Sequence, residues 1–282
     1  MRTIIALGLS CLLAVVLGAG SSPTHPQDKS TDIQYRLKEG SVSLHEPVVV
    51  LFEVHNAFSQ PLTLTLGAQN KQFFQFSLTT PDGQVLQSTP SSMVNVVVFD
   101  GFGKAVVAPG EDYQQPLLMN QWFPFRTAGT YFLTSRLTTE IEISGDGNLP
   151  PKSQTIRLTV SARDPERLTK VCADLARQVE EAPNAEAAQE PALKLSYVED
   201  PISVRYLAQV LFSHKLTDHI AIPGLERIGN DDAIKALLSA LDDKFGDTAD
   251  LARQALARME DRISDPVLKE TVRRALAPTP TD

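Results

Sequence analysis

Three residues in one short stretch, His214, Asp218 and His219, have the chemistry of metal ligands. On a continuous helix His214 and Asp218 share a face, being four apart. His219 points about a third of a turn away from Asp218. Zinc sites use three or four ligands at defined spacing. No further ligand stands nearby, so the stretch reads as a polar turn between helices and no metal is expected. Cys172 falls within an apolar helical stripe with Leu168, Val171, Leu175 and Val179. A free cysteine there behaves as a small hydrophobe, and no histidine is close in sequence. Gly145-Asp146-Gly147-Asn148 carries one carboxylate where a calcium loop needs several and a distal acid, so it reads as a hairpin turn. Asp100-Gly101-Phe102-Gly103 has no lysine and lacks phosphate-loop spacing. The G-x-S-x-G, H-E-x-x-H and paired C-x-x-C motifs are absent. These readings assign no catalytic residue, cofactor or metal. An enzyme whose site is assembled from scattered residues stays open as an alternative.

Binding chemistry has more to work with. Trp122, Phe123 and Phe125, with Phe99 and Phe102, form the densest aromatic supply. They either fill a core, or Phe102 and Phe125 protrude from loops as contact residues, since loop aromatics often anchor partners. Farther along, Arg227, Lys235, Arg253 and Arg258 either sit on solvated faces or line a concave groove. Phe102, Phe125, Arg227 and Lys235 are therefore the candidate binding residues.

The chain opens with Arg2, an apolar run from Ile4 to Leu17, and the small residues Gly18-Ala19-Gly20-Ser21. That is the layout of a secretory signal peptide, with cleavage expected near Ala19 or Gly20. The run is short for a membrane span, which needs about 20 residues. Retention as an anchor, or lipidation at Cys11, are the alternatives. The expectation is an exported protein, periplasmic or extracellular, with no transmembrane segment in the mature chain. After cleavage one cysteine remains, Cys172, so no internal disulfide is possible. Net charge is −8 for the whole chain, and no basic stripe or basic–aromatic cluster occurs. Nucleic acid and anionic membrane surfaces are thereby disfavoured as partners.

The elements that must position these residues change character midway. Residues 1–20 are the signal peptide and 21–31 a polar, proline-bearing lead-in. Residues 32–162 are rich in Val, Leu, Thr and Phe, with frequent turn residues. Pro47–His55 is one strand. In 61–66, Leu62, Leu64 and Leu66 alternate onto one face, and in 73–79 so do Phe74, Phe76 and Leu78. The apolar run 94–99 and segments 84–87, 115–118, 129–137, 140–144 and 153–160 complete an antiparallel β-sandwich. Ala108-Pro-Gly, Trp122 and Gly129-Thr-Tyr131, with the opening strand 46–56, make this half resemble immunoglobulin-like modules of exported bacterial proteins. The resemblance implies the fold and little about activity.

At Ala162-Arg-Asp-Pro165 the composition turns to Ala, Leu, Glu and Arg. Residues 163–277 predict about seven helices, with 278–282 as a tail. Asp164-Pro165, Asp200-Pro201, Asn230-Asp231 and Asp265-Pro266 are helix-start signals. Residues 195–211 and 225–241 repeat one pattern thirty positions apart. Leu195, Val198, Asp200, Val204, Leu207 and Leu211 match Leu225, Ile228, Asn230, Ile234, Leu237 and Leu241. Ile263, Asp265, Val272 and Leu276 form a weaker third copy. Such a period marks stacked helical hairpins, an α-solenoid. Residues 224–241 are similar to short HEAT-type repeats of bacterial lyase-like scaffolds. Pro191 and Pro223 interrupt that pattern and are expected to start or kink helices.

The function expected is a non-enzymatic binding or scaffold protein for a protein or envelope-component partner. A protease inhibitor acting through a loop near 100–104 is the alternative, because residues 46–66 are similar to the opening strands of small bacterial β-sandwich inhibitors.

Overall fold

A computed structural model describes residues 32–67, 71–88, 103–145, 147–150, 152–213, 215–245 and 247–277. The leader, the lead-in, the apolar run 94–99 and the tail lie outside these residues. The chain is strand-rich up to Ser161 and helical from Pro165, and no helix described is long and apolar enough to cross a membrane.

The strands are β1 (Asp32–Leu37), β2 (Val42–Ser43), β3 (Val49–His55), β4 (Leu62–Thr65), β5 (Phe74–Thr79) and β6 (Val85–Gln87). They continue with β7 (Lys104–Val107), β8 (Asp112–Leu118), β9 (Gly129–Leu137), β10 (Ile141–Ile143), β11 (Gly147–Leu149) and β12 (Ser153–Ser161). Three sheets result, in the orders β1-β3-β8, β11-β10-β4-β7 and β2-β12-β9-β5-β6. Among the described residues every pairing is antiparallel except the short β2–β12 contact. The alternation read from the sequence places Leu62, Leu64, Phe74, Phe76 and Leu78 inward. They share one core with Phe52, Leu117, Tyr131 and Leu133. Of the segment read as a hairpin turn, Gly147 and Asn148 belong to β11 and pair with Ile143 and Glu142 of β10, while Asp146 lies outside the described residues. Strand β7 was not legible as a strand. It is four residues long at a sheet edge, and its Val106 is exposed.

The α-helices are α1 (Pro165–Glu181), α2 (Ala185–Ser196), α3 (Val204–Leu211), α4 (Asp218–Ile228), α5 (Asp231–Ala240), α6 (Thr248–Met259) and α7 (Pro266–Leu276). Each cap read from the sequence is made. Asp164 accepts from the Arg167 amide, Asp200 from Ile202, Asn230 from Ala233, and Asp265 from Val267 and Leu268. The thirty-residue repeat therefore spans the end of one helix, a capped turn and the next helix. Sequential helices pack as α1–α2, α3–α4 and α5–α6, while α2, α4 and α6 contact in series, as do α3, α5 and α7. Pro191 and Pro223 lie inside α2 and α4 rather than at their starts. Pro223 has no amide hydrogen for the carbonyl of His219, four residues back.

The two halves meet along a small seam. Strand β3 buries Val50, Phe52 and Val54 in the strand core. Its opposite face, Val49 and Leu51 with Leu118, packs against Leu193 and Tyr197 of the helical half. Two almost fully buried carboxylates flank this contact. Glu46 accepts from Arg167 at 2.5 Å and from the Ser43 amide at 2.9 Å. Asp200 is held by Arg163 through two bonds, of 2.6 and 3.0 Å. Ser43 Oγ donates to the Ala162 carbonyl and accepts from the Asp164 amide, which fixes the connection between halves.

Helix α4 comes close to the end of α2. A Cβ added at Gly224 would stand 3.0 Å from both Cα and Cβ of Ser196 and 3.2 Å from Leu207. Gly224→Ala is expected to lower stability by about 1–3 kcal/mol through overpacking, although alanine favours helix by about 1 kcal/mol. Urea unfolding checks this, and a stabilised variant would refute the close approach. For Asp200, burial pushes the carboxyl up, but Arg163, the Ile202 amide and His45 outweigh it and hold the carboxyl below its ordinary value. Its contribution to stability is therefore complete above pH ~4 and is lost as pH falls below that. The stability gap between wild type and Asp200→Asn should be widest near pH 7 and close towards pH 2, as read from unfolding midpoints across pH.

Candidate functional site

The packing of α2 against β3 leaves a cleft of about 650 Å³ between the halves. Its floor comes from Lys71, Gln115, Pro116 and Gln121 of the strand half. One wall is α2, with Glu186, Gln189, Glu190 and Leu193, and the other is α4, with His219, Ile220, Pro223 and Arg227. Among the described residues, strand β8 bonds only to β3. An edge strand tolerates a proline, and Pro116 uses that freedom at the cleft floor. A second hollow of about 290 Å³ adjoins it, lined by His45, Trp122, Phe125 and Glu199 among others, with Gln121, Tyr197 and Arg227 common to both.

Arg227 sits where the two hollows meet. Its guanidinium lies 4.2 Å over the Tyr197 ring, a cation–π contact. It also donates to the Ser196 carbonyl at 2.6 Å and lies 4.0 Å from Glu199. The arginine therefore joins α4 to the end of α2 and still shows part of its surface to the cleft. Lys71 is less well served. It is half-buried, and its Nζ donates to Gln121 Oε1 at 3.4 Å. Burial holds its ammonium below the ordinary lysine range, and Glu190 across the cleft offsets part of that effect.

Of the residues selected from sequence, Phe125 and Arg227 come together at the smaller hollow. Phe125 does not protrude: it is 7% exposed and packs edge-on against Tyr131 at 5.4 Å. The loop on which it stands folds back over the core, and this corrects the reading of Phe125 as a projecting anchor. Phe102 and His214 lie outside the described residues. Lys235 is on α5, paired with Asp232 at 3.2 Å, beside a separate shallow depression near Arg262. His219 lines the cleft, with Nδ1 3.8 Å from Asp218. No three His, Cys, Asp or Glu side chains converge among the described residues. Sequence reasoning missed Lys71, Gln121 and Tyr197. One signal pointed their way: the first four residues of β3, 49–52, are apolar on both faces, which demands a second covering layer there.

No family model matches the chain, and no curated protein matches it. Among solved structures it is similar to the sporulation control protein Spo0M from Bacillus subtilis. The identity there is 16%, over 51% of this chain and 55% of that one, with a TM-score of 0.25. It is also similar to astrotactin-2, described as a vertebrate-specific, perforin-like membrane protein involved in neuronal development. That match has 11% identity over 86% of this chain and 38% of that one, with a TM-score of 0.21. The chain thus spans about half the length of the Spo0M protein and less than two fifths of astrotactin-2. Overlaps this loose do not define a shared fold.

Cys172 is fully buried on α1, and burial, with the charges of Asp200 and Glu46, pushes its thiol up to about 12. At pH 8 only about one thiol in ten thousand would be ionised. Protein lacking residues 1–20 is expected to resist iodoacetamide while folded and to take up one equivalent in guanidinium. Mass spectrometry reads both, and rapid native labelling would overturn the buried assignment.

Proposed function

We propose that the chain is an exported, non-enzymatic binding protein that holds a protein or envelope-component partner in the cleft between its strand-rich and helical halves. The observation carrying this reading is the cleft itself. Both halves contribute walls, three glutamine amides line it, and apolar side chains (Leu193, Ile220, Pro116, Pro223) lie between charged ones. Concave sites with a few placed polar groups on an apolar lining are the usual form of a binding pocket.

Finer architecture is part of the same proposal. The strand half is read as an immunoglobulin-like sandwich. In support, the Tyr131 hydroxyl donates to the carbonyl of Thr127, four residues upstream, at 2.7 Å, as in the tyrosine corner of such modules. The helical half is read as a short HEAT-like solenoid, supported by the series packing of α2, α4 and α6. In such a stack one layer of helices lines the recognition surface, and here α2 and α4 form the cleft walls.

Crosslinking capture from the exported fraction of the native organism tests the reading. Full-length mature protein should enrich one partner. Gln189→Trp, at an exposed position in the cleft wall, should reduce capture at least tenfold, while Lys235→Glu on α5 should not. Capture that is lost in Lys235→Glu and kept in Gln189→Trp would move the site to the helical surface. A captured protease that ignores both substitutions would favour inhibition through the strand half.

A further inference from the structure

We propose that Lys71 anchors a carboxylate group of the ligand in this cleft. The carboxylate would come from an acidic side chain of a bound protein segment or from a free organic acid of similar size. The inference rests on the cleft reading above and adds its chemistry.

Other cations along the seam and the helices, even more exposed ones, meet carboxylates closely. Arg163 reaches Asp200 at 2.6 Å, Arg167 reaches Glu46 at 2.5 Å, and Arg258 reaches Glu226 at 2.8 Å. Lys71 is the exception in the cleft. Its hydrogen bond goes to a neutral amide at 3.4 Å, and no carboxylate among the described residues stands at ion-pair distance from it. Glu190 attracts it from α2 but is already paired with Lys194 at 2.5 Å. An ammonium carries three donors, so Lys71 keeps donor capacity in a place where water is partly excluded. Desolvating a cation without a counter-charge is unfavourable. A carboxylate entering the cleft would supply the missing acceptor, and a charge-assisted bond there is stronger than one in open water. Nearby, Pro116, Leu193 and Ile220 offer apolar surface for a short carbon chain, and Gln115 and Gln121 offer amides. Arg227 does not compete for this role, being held by Tyr197 and the Ser196 carbonyl.

The test uses full-length mature protein and two blocked residues, N-acetyl-glutamate N-methylamide and N-acetyl-glutamine N-methylamide, which differ only in a carboxylate. Lysine side-chain NMR follows Lys71 during titration. The acid should bind about tenfold tighter than the amide and raise the Lys71 titration midpoint. The preference should vanish in Lys71→Met and persist in Lys71→Arg. Equal binding of the two probes, or a preference kept in Lys71→Met, would overturn the anchor. Glutarate serves as the free-acid probe: tighter binding of glutarate than of the blocked glutamate identifies a free acid as the source, and the reverse a protein segment. The two readings fail separately. Partner capture that Gln189→Trp blocks and Lys71→Met leaves unchanged sinks the anchor and spares the cleft. Acid preference at Lys71 with no captured partner upholds the anchor and sinks the protein-partner reading.

Discussion

The first half of strand β3, residues 49–52, has no face left for water, and much of the molecule follows from that, while Glu53 and His55 farther along its second face stay within reach of solvent. An antiparallel strand usually alternates, one face in a core and one in solvent. Here Val50, Phe52 and Val54 point into the strand core, while Val49 and Leu51 point the other way. Leaving that second face bare would expose contiguous apolar surface next to an edge strand, a liability for aggregation. Helix α2 covers it with Leu193 and Tyr197. Once α2 is fixed there, α4 must lie beside it, and the space between these helices and the β8 edge becomes the cleft. The site is thus a geometric consequence of covering one strand twice.

Of the two buried carboxylates, Glu46 determines how that covering is oriented, because its partner lies across the seam. Glu46 and Asp200 are 4% and 2% exposed, and each would be costly to bury alone. Each is matched by an arginine from the first residues of the helical half, Arg167 and Arg163. Pairs of this kind add little to net stability compared with apolar packing, but a misaligned seam would leave a charge unpaired. The apolar patch supplies attraction with little direction; the Arg167–Glu46 pair supplies direction, while Arg163–Asp200 braces the helical half itself. A one-turn slip of α1 would separate Arg167 from Glu46 and undo the bond of Ser43 to the Asp164 amide as well.

How much of this was legible in the sequence differs by kind of interaction. Local signals carried through well: alternation placed Leu62, Leu64 and Phe76 inward, and the Asp and Asn caps fell where their spacing put them. These depend on neighbours in sequence, so the sequence holds all the information. The cleft depends on contacts between distant segments, such as Lys71 with Gln121 and Arg227 with Tyr197. Nothing in the types or spacing of those residues marks them. Phe125 shows the same limit from the other side. A loop aromatic beside a proline looks exposed until Tyr131, on the following strand, proves to be its packing partner.

The seam also bears on how the cleft would bind. Only residues 162–164 separate β12 from α1, and their polar groups are tied to Ser43 and Asp200. Inter-domain connections are more often exposed and loosely held, and relative motion is then the default. Here a short hydrogen-bonded connection, an apolar contact and the Arg167–Glu46 pair join the halves. A ligand entering such a cleft would not have to order the two halves first, so less of its interaction energy would be lost to conformational entropy. A seam tied in this way disfavours closure of the walls around a smaller guest. Recognition would then rest on placed groups such as Lys71, Gln121 and Arg227 rather than on closure.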